Sequence, residues 1–511
     1  MTNRSLFAQS FRAQIICGLL IAAATLGLTA CGPYYYKFPQ FTFANRPIPP
    51  SLLANRVMIS VTANGSSTGS LQIVDALRDI RSNVQNTKTS FSVSGYASGF
   101  PDLILNFPAE VRGYVYSNAS ATGDIQLIDY GKEAVSSSPG SFPARSTGLA
   151  IPQTFGHIYS AEESIGQLSI IDNTTGKSFG LILPNVFQVV VNQGDTVVLA
   201  MVRNSNTIYR VVKLNDNAFP TSAAAIASTG AADCEPFNLP VYCIVPVNTG
   251  SHANAFDRPM GAYFSLDGNA VYVLNCGQEC GGTASSVTYL QQGVLQFNNV
   301  PTTVPDASSF ITQVAVPGGV TAAVSNGTTL YVSGQQLQAD GLFAGNLSVI
   351  NLATNTVTGK YSISDGNHSK MLFADDNTLW IGSQFCATGE RAARAAQQIA
   401  ANQPTDQSAN YNCLTRFDMG AQTATIVPAV TQGGSSPVAV GFPNTNQNQF
   451  YYGDLTGLCW VQGFHKVYTA YGGQVHAFNT VDGSEINNKN ITVQGTALDV
   501  AYMDAITDAD N

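Results

Sequence analysis

The sequence predicts an all-β chain closed into a β-propeller, eight blades by count and seven if one weak unit is not a blade, with one short helical insertion. Composition is the first ground. Of 511 residues only 11% are charged and 44% are hydrophobic, and Gly (46) and Pro (23) are plentiful, which describes a folded, turn-rich chain rather than a disordered one. With 23 Lys and Arg against 32 Asp and Glu it is no basic nucleic-acid binder. Patterning is the second ground: apolar residues alternate with period two over short runs bounded by turn residues, which means strands rather than helices. The third is recurrence, because these runs return in the same order along most of the chain.

The chain opens with Arg4 and Arg12, an apolar run from Ile15 to Leu28, and then Thr29, Ala30 and Cys31. A basic start, a short apolar segment and small residues at a cleavage point make a signal peptide over 1–30. The run is shorter than the roughly 20 residues a spanning helix needs, and no later segment has 18 uninterrupted apolar residues. Leu28-Thr29-Ala30-Cys31 resembles the bacterial lipobox, against the alternative of an ordinary secretory signal with an incidental Cys. The resemblance implies that Cys31 becomes the lipidated first residue of an exported lipoprotein, held at a membrane by its acyl chains. Gly32 follows rather than Asp, which among lipoproteins goes with the outer membrane, on its periplasmic or its surface side. Residues 31–55, with Tyr34-Tyr35-Tyr36 and Arg46-Pro47-Ile48-Pro49-Pro50, read as a tether. Without the signal the chain keeps 21 basic and 32 acidic residues, a charge of −11 that argues against electrostatic adhesion to an anionic envelope.

The repeat fills 56–504, leaving 505–511 as a tail. Each unit begins with an apolar strand often opened by Pro or Gly, with starts near 101, 148, 184, 259, 319, 369, 437 and 496. The fourth is Pro259 to Ser265 and the seventh Pro437 to Phe442. A polar turn follows, clearest in Leu266-Asp267-Gly268-Asn269. Next comes a strand such as Val271-Tyr272-Val273-Leu274-Asn275, Leu330-Tyr331-Val332-Ser333 or Val467-Tyr468-Thr469-Ala470. A third strand closes on an acid or amide, as in Ile125 to Asp129, Leu168 to Asp172, Leu347 to Asn351 and Val475 to Asn479, and an outer strand completes the unit. One such sheet cannot bury both faces alone, so neighbours stack and the compact solution is a closed ring. Thr496 to Tyr502 has no later partners, and Val57 to Val61 with Leu71 to Asp75 lack a first strand, so the two ends are expected to share a blade and remove the open edges. The Ser265-Leu266-Asp267-Gly268 turn with Val271 to Asn275 resembles the YVTN-type propeller repeat family, most other units being degenerate copies. That resemblance implies a fold and no reaction.

Seven cysteines remain once Cys17 leaves and Cys31 is acylated, and in an exported chain they are disulfide candidates. The economical pairing is Cys234 with Cys243, Cys276 with Cys280, and Cys386 with Cys413, leaving Cys459 as a buried thiol in Leu458-Cys459-Trp460-Val461. A metal site on Cys276-x-x-x-Cys280 with Cys234 and Cys243 is the alternative. Between Cys386 and Cys413, Thr388 to Asn402 is rich in helix formers and reads as an insertion between two strands of one blade, either functional or a cover for a blade edge. Pro220 to Ala255 is a second, polar excursion.

Catalytic constellations are not found. Gly65-Ser66-Ser67-Thr68-Gly69 joins two strands of a hairpin and lacks the strand-to-helix turn of a nucleophile elbow. Gly176-Lys177-Ser178 lacks the earlier glycine of a phosphate loop. None of the five His has metal-ligand spacing. No cofactor or metal is implied, no nucleic acid is expected as partner, and the oligomeric state is left open. Two readings compete. The first is a lipid-anchored, non-enzymatic scaffold presenting its loops to a protein or glycan. The second is a channel-site enzyme like propeller lactonases or quinone-dependent dehydrogenases, which needs groups from several first strands to converge. The candidate binding residues at the channel mouth are His252, Asp257, Arg258, His368 and Lys370, with Asp102 beside them.

Overall fold

Alternation decides the architecture. Successive side chains of a strand point to opposite faces, and in the strand Ala270–Asn275 Val271 and Val273 enter one core while Tyr272 and Leu274 enter another. Such a strand has no solvated face, so its sheet must be covered on both sides by other sheets. The computed structural model describes residues 46–63, 68–81, 91–118, 121–214, 233–235, 241–299, 308–386, 390–403, 412–428, 452–486 and 491–508. Two units divide the chain. Of Met1–Ile48 only Arg46 to Ile48 are described, so the signal peptide and Cys31 lie outside the described residues. Pro49–Asn511 holds all that follows.

Eight antiparallel sheets form an eight-bladed propeller. The first strands of blades 1 to 8 are Pro101–Phe107, Gly148–Ala150, Val186–Val191, Pro259–Phe264, Gly319–Ser325, Asn367–Ala374, Leu455–Val461 and Thr496–Tyr502. First strands of successive blades lie side by side around the centre and line the channel, and the later strands follow outward in chain order. Blade 3 departs from that order, adding the short edge strand Asp233–Cys234 outside Val241–Pro246. In blade 8 Thr496–Tyr502 pairs with Arg56–Thr62, which pairs with Gly69–Asp75. One apolar core fills each of the eight interfaces between blades, from that of blades 1 and 2 (Tyr114, Ile125, Ile158, Ile171) to that of blades 8 and 1 (Met58, Ile73, Val115, Ile128). Each fully buried aliphatic side chain in them stabilises the ring by about 1.5–3 kcal/mol. Leu53 and Ala505, just outside the repeat on either side, are buried in the cores that flank blade 8.

The seventh first strand is corrected. It is Leu455–Val461, the run containing Cys459, and Pro437 to Phe442 lies outside the described residues. The Pro that opens several first strands is missing here; a left-handed Gly453 (φ 110°) makes the turn instead.

Two backbone features recur at one end of the ring, here the upper face, where first strands begin and second strands end. A left-handed residue immediately precedes the first strand in five blades, at Phe100 (φ 43°), Asn185 (φ 60°), Arg258 (φ 55°), Gly366 (φ 95°) and Gly495 (φ 116°) in blades 1, 3, 4, 6 and 8. A β-bulge then skips one residue in seven of the eight first strands: Asp102, Phe187, Met260, Thr321, Ser369, Thr456 and Leu498. Such bulges bend a strand and re-aim its side chains. The only described α-helix, α1 (Glu390–Ala400), follows the second strand of blade 6 on the same face. Among the described residues no helix is long and apolar enough to cross a membrane.

Candidate functional site: the upper face and the channel

The bulges set which residues face the channel. Immediately after them, at one shared register position, stand Leu103, Gln188, Gly261, Ala322, Lys370, Gly457 and Asp499. Two of these carry charge. Lys370 of blade 6 and Asp499 of blade 8 form an ion pair, Nζ to Oδ1 3.5 Å, across blade 7. Blade 7 allows this because its residue is Gly457, where a Cβ would lie 2.6 Å from Asp499 Oδ1. Asp499 is 2% exposed and accepts from the Ile104 amide (2.8 Å) and the Val500 amide (3.0 Å). Burial pushes its carboxyl above the ordinary range, against the opposing pull of Lys370 and the two amides. The pair borders a cavity of about 460 Å³ lined by first strands of blades 1, 4, 5, 6, 7 and 8.

The other candidates do not join this pair. His368, two residues from Lys370, is 1% exposed, its Nε2 2.7 Å from the Ser364 carbonyl, and burial lowers it to about 4, so it is neutral at physiological pH. The bulge at Ser369 separates the two: His368 points into the protein while Lys370 lines the cavity. Asp257 is buried and organises the next loop, its Oδ2 accepting from Thr283 N (2.7 Å), Thr283 Oγ1 (2.6 Å) and Ala284 N (2.7 Å). Burial opposes its ionisation, but these bonds hold the carboxyl below the usual range. Arg258 donates from Nη2 to the Gly281 carbonyl (3.3 Å) and belongs to the same loop. His252 is exposed and stacks on Phe310 of the outermost strand of blade 4, at the rim rather than the channel, with centroids 3.8 Å apart. Asp102 accepts from Asn118 Nδ2 (2.5 Å) and faces Arg145 at 3.8 Å. Among the described residues no group of three or more His, Cys, Asp or Glu is arranged to hold a metal ion.

All three disulfides pair as the spacing suggests, with Cα separations of 4.0 Å for Cys234–Cys243 and 5.5 Å for both Cys276–Cys280 and Cys386–Cys413. The four cysteines of the metal alternative are therefore bonded to one another, and Cys459 is a buried thiol that burial pushes far up. Two of the disulfides staple upper-face loops that lean on one another. Glu279, between Cys276 and Cys280, accepts from the Leu337 amide of blade 5 at 3.5 Å. Gln335 of blade 5 donates to the Gly366 carbonyl at 2.7 Å, at the start of blade 6. Asp365 there accepts from the Gly345 amide (2.9 Å) and pairs with Arg391 of α1 (3.5 Å). Ala395 of α1 is 1% exposed, buried with Cys386 and Cys413 in the core of blades 6 and 7, and the Phe385 amide donates to Asp454 of blade 7 at 2.7 Å. Phe385 itself holds a left-handed backbone (φ 60°) and is 57% exposed.

Sequence reasoning missed two groups. Asp499 becomes recognisable only once the sheet register is known: the position after each bulge then holds a lysine, a glycine and an aspartate in blades 6, 7 and 8. Glu162, last residue of the second strand of blade 2, carries no local mark of being fully buried.

No protein-family model and no curated protein matches the chain. Solved structures do. Dihydro-heme d1 dehydrogenase NirN, in complex with DHE, is 11% identical over 90% of this chain and 79% of its own, with a TM-score of 0.51. Hydrazine synthase of Kuenenia stuttgartiensis is 9% identical over 78% and 80% of the two chains, TM-score 0.38. The propeller domain of Myceliophteria thermophila Cps50 (Swd1) is 10% identical over 78% and 88%, TM-score 0.36. At such identities the likeness concerns the fold alone: the chain is an eight-bladed β-propeller.

Proposed function

We propose that this chain is a lipoprotein, anchored through Cys31 in the cell envelope, whose propeller is a non-enzymatic scaffold that docks a protein partner on its upper face. One observation carries the docking reading: from blade 4 to blade 7 the upper loops are tied into one platform by two disulfides, the Arg391–Asp365 pair and the Gln335 and Phe385 bonds. A preorganised platform loses little freedom on binding. It presents Phe385 (57% exposed) and Leu337 (36% exposed), and exposed aromatic anchors are the usual source of interface affinity. Holding Phe385 left-handed costs on the order of 1–2 kcal/mol, which the surrounding frame sustains.

The test places a photo-crosslinking residue at Phe385 of the full chain in cells, and separately at Leu266, an exposed residue of the opposite face. A discrete adduct at 385 only, lost when Leu337→Asp is added, is expected. No adduct at 385, or the same adduct from both faces, would refute the docking reading. Cys31→Ser should release the chain from the membrane fraction, and unchanged fractionation would refute the anchor. A second reading, a channel-site enzyme, draws on the Lys370–Asp499 cavity. A stoichiometric metal or quinone in the purified chain would favour it over the scaffold.

A further inference from the structure

The cavity beside Lys370 is independent of the upper platform. Its 460 Å³ falls within the 300–1,000 Å³ typical of ligand pockets, and most of its wall is apolar, including Leu105, Tyr263, Met371 and Leu458. Charge enters it unevenly. Asp499 is turned into the protein, with both carboxyl oxygens accepting backbone amides, whereas the Lys370 side chain is 29% exposed. An ammonium has three donors, and the bond to Asp499, at 3.5 Å, is long and occupies one. The other acid on the lining, Asp508, accepts from the Ala109 amide at 2.8 Å. Among the described lining residues Lys370 is the one cation, set in an apolar chamber and held by Asp499, which also borders the cavity but has both oxygens engaged by backbone amides.

We propose that the channel binds a small apolar carboxylate, its carboxylate accepting from Lys370 Nζ and its hydrocarbon body lying against Leu105, Tyr263, Met371 and Leu458. A single negative charge suits the site, because a doubly charged phosphate would face one ammonium with Asp499 and Asp508 nearby. Gly457 is part of the device: any side chain there would push Asp499 away from the position that orients Lys370.

The test is calorimetric titration of the full chain with 3-phenylpropionate and, in parallel, with 3-phenylpropan-1-ol, which has the same body and no charge. The acid should bind about tenfold or more tightly than the alcohol, as a hydrogen bond to a charged group implies. Lys370→Gln should weaken the acid by a similar factor and leave the alcohol unchanged, and Lys370→Arg should retain much of the difference. Met371→Trp, which fills the apolar end, should weaken both, and it decides the matter if Lys370→Gln fails to fold. Absence of acid binding, equal affinity for acid and alcohol, or full affinity in Met371→Trp would each overturn the proposal.

Discussion

At the scale of single residues, burial rather than sequence context decides behaviour, and Glu162 shows it. Its side chain is fully buried and neither carboxyl oxygen has a hydrogen-bond partner. Burial raises its pKa to about 7, opposed by the nearby Ser169 and Ser160 hydroxyls and the Ala144 amide, none of which reaches hydrogen-bond geometry. The folded value lies above the unfolded one, so the stability linked to this group is present below about pH 4.5 and is lost as pH rises toward 7. Glu162→Gln should remove that loss, leaving the variant more stable than the parent at pH 8 by roughly 3 kcal/mol and little different at pH 4. Urea unfolding at the two pH values checks this, and a parallel offset at both would mean that the carboxyl does not titrate in the window. The same scale limits what could be read of the site. Lys370 and His368, two residues apart, both stand where a first strand begins at the channel mouth, so the sequence alone does not tell them apart. The bulge at Ser369 does, and it follows from the register of the sheet, not from local residue types.

At the scale of elements most of the molecule was legible. Strands such as Ala270–Asn275 and Leu330 to Ser333 announce themselves because both of their faces are buried, giving near-continuous β-branched and aromatic runs. The helix former run between Cys386 and Cys413 stood out for the opposite reason. Leu455–Val461 was missed because the Pro-led signature that marks other first strands is replaced there by Gly453. The helical excursion also carries a prediction. Cys386 and Cys413 are both fully buried beside Trp380 and Ala395 in one core, so their bond closes a loop with a sequence separation of 27. Closing such a loop contributes about 2–4 kcal/mol. Cys386→Ala with Cys413→Ala should make the excursion cleavable under native conditions while the rest of the propeller stays protected. Equal protease resistance in variant and parent would show that the Arg391–Asp365 pair and Ala395 hold the helix without the disulfide.

At the scale of the whole molecule the ring depends on its closure, because a propeller of stacked sheets is stable only when the last blade meets the first. Closure unites residues hundreds of positions apart, with Val57 opposite Tyr502 and Ile59 opposite Val500. The lower end of that seam is held by one side chain. Arg56 is 3% exposed; its Nε and Nη2 donate to Asp504 at 3.0 and 2.7 Å, and its Nη1 donates to Glu133 at 3.0 Å and to the Tyr130 carbonyl at 2.6 Å. One guanidinium thus ties the second strand of blade 8, the residues just after its first strand, and blade 1. Arg56→Met keeps the bulk but leaves Asp504 and Glu133, 8% and 4% exposed, without their cation. Breaking a buried pair in this way costs about 3–5 kcal/mol, and because the residue sits on the seam the loss should appear in the main unfolding transition. Arg56→Lys should recover only part of it, since a single ammonium cannot reproduce the planar fork. Glu163→Ala, which removes the half-exposed pair and leaves Arg203 over the Phe187 ring, is the control, expected to cost under about 1 kcal/mol. If the urea midpoint of Arg56→Met moved no further than that of the control, the ring would owe its closure to the strand pairing and the apolar cores on either side of blade 8, with the buried charges adding nothing.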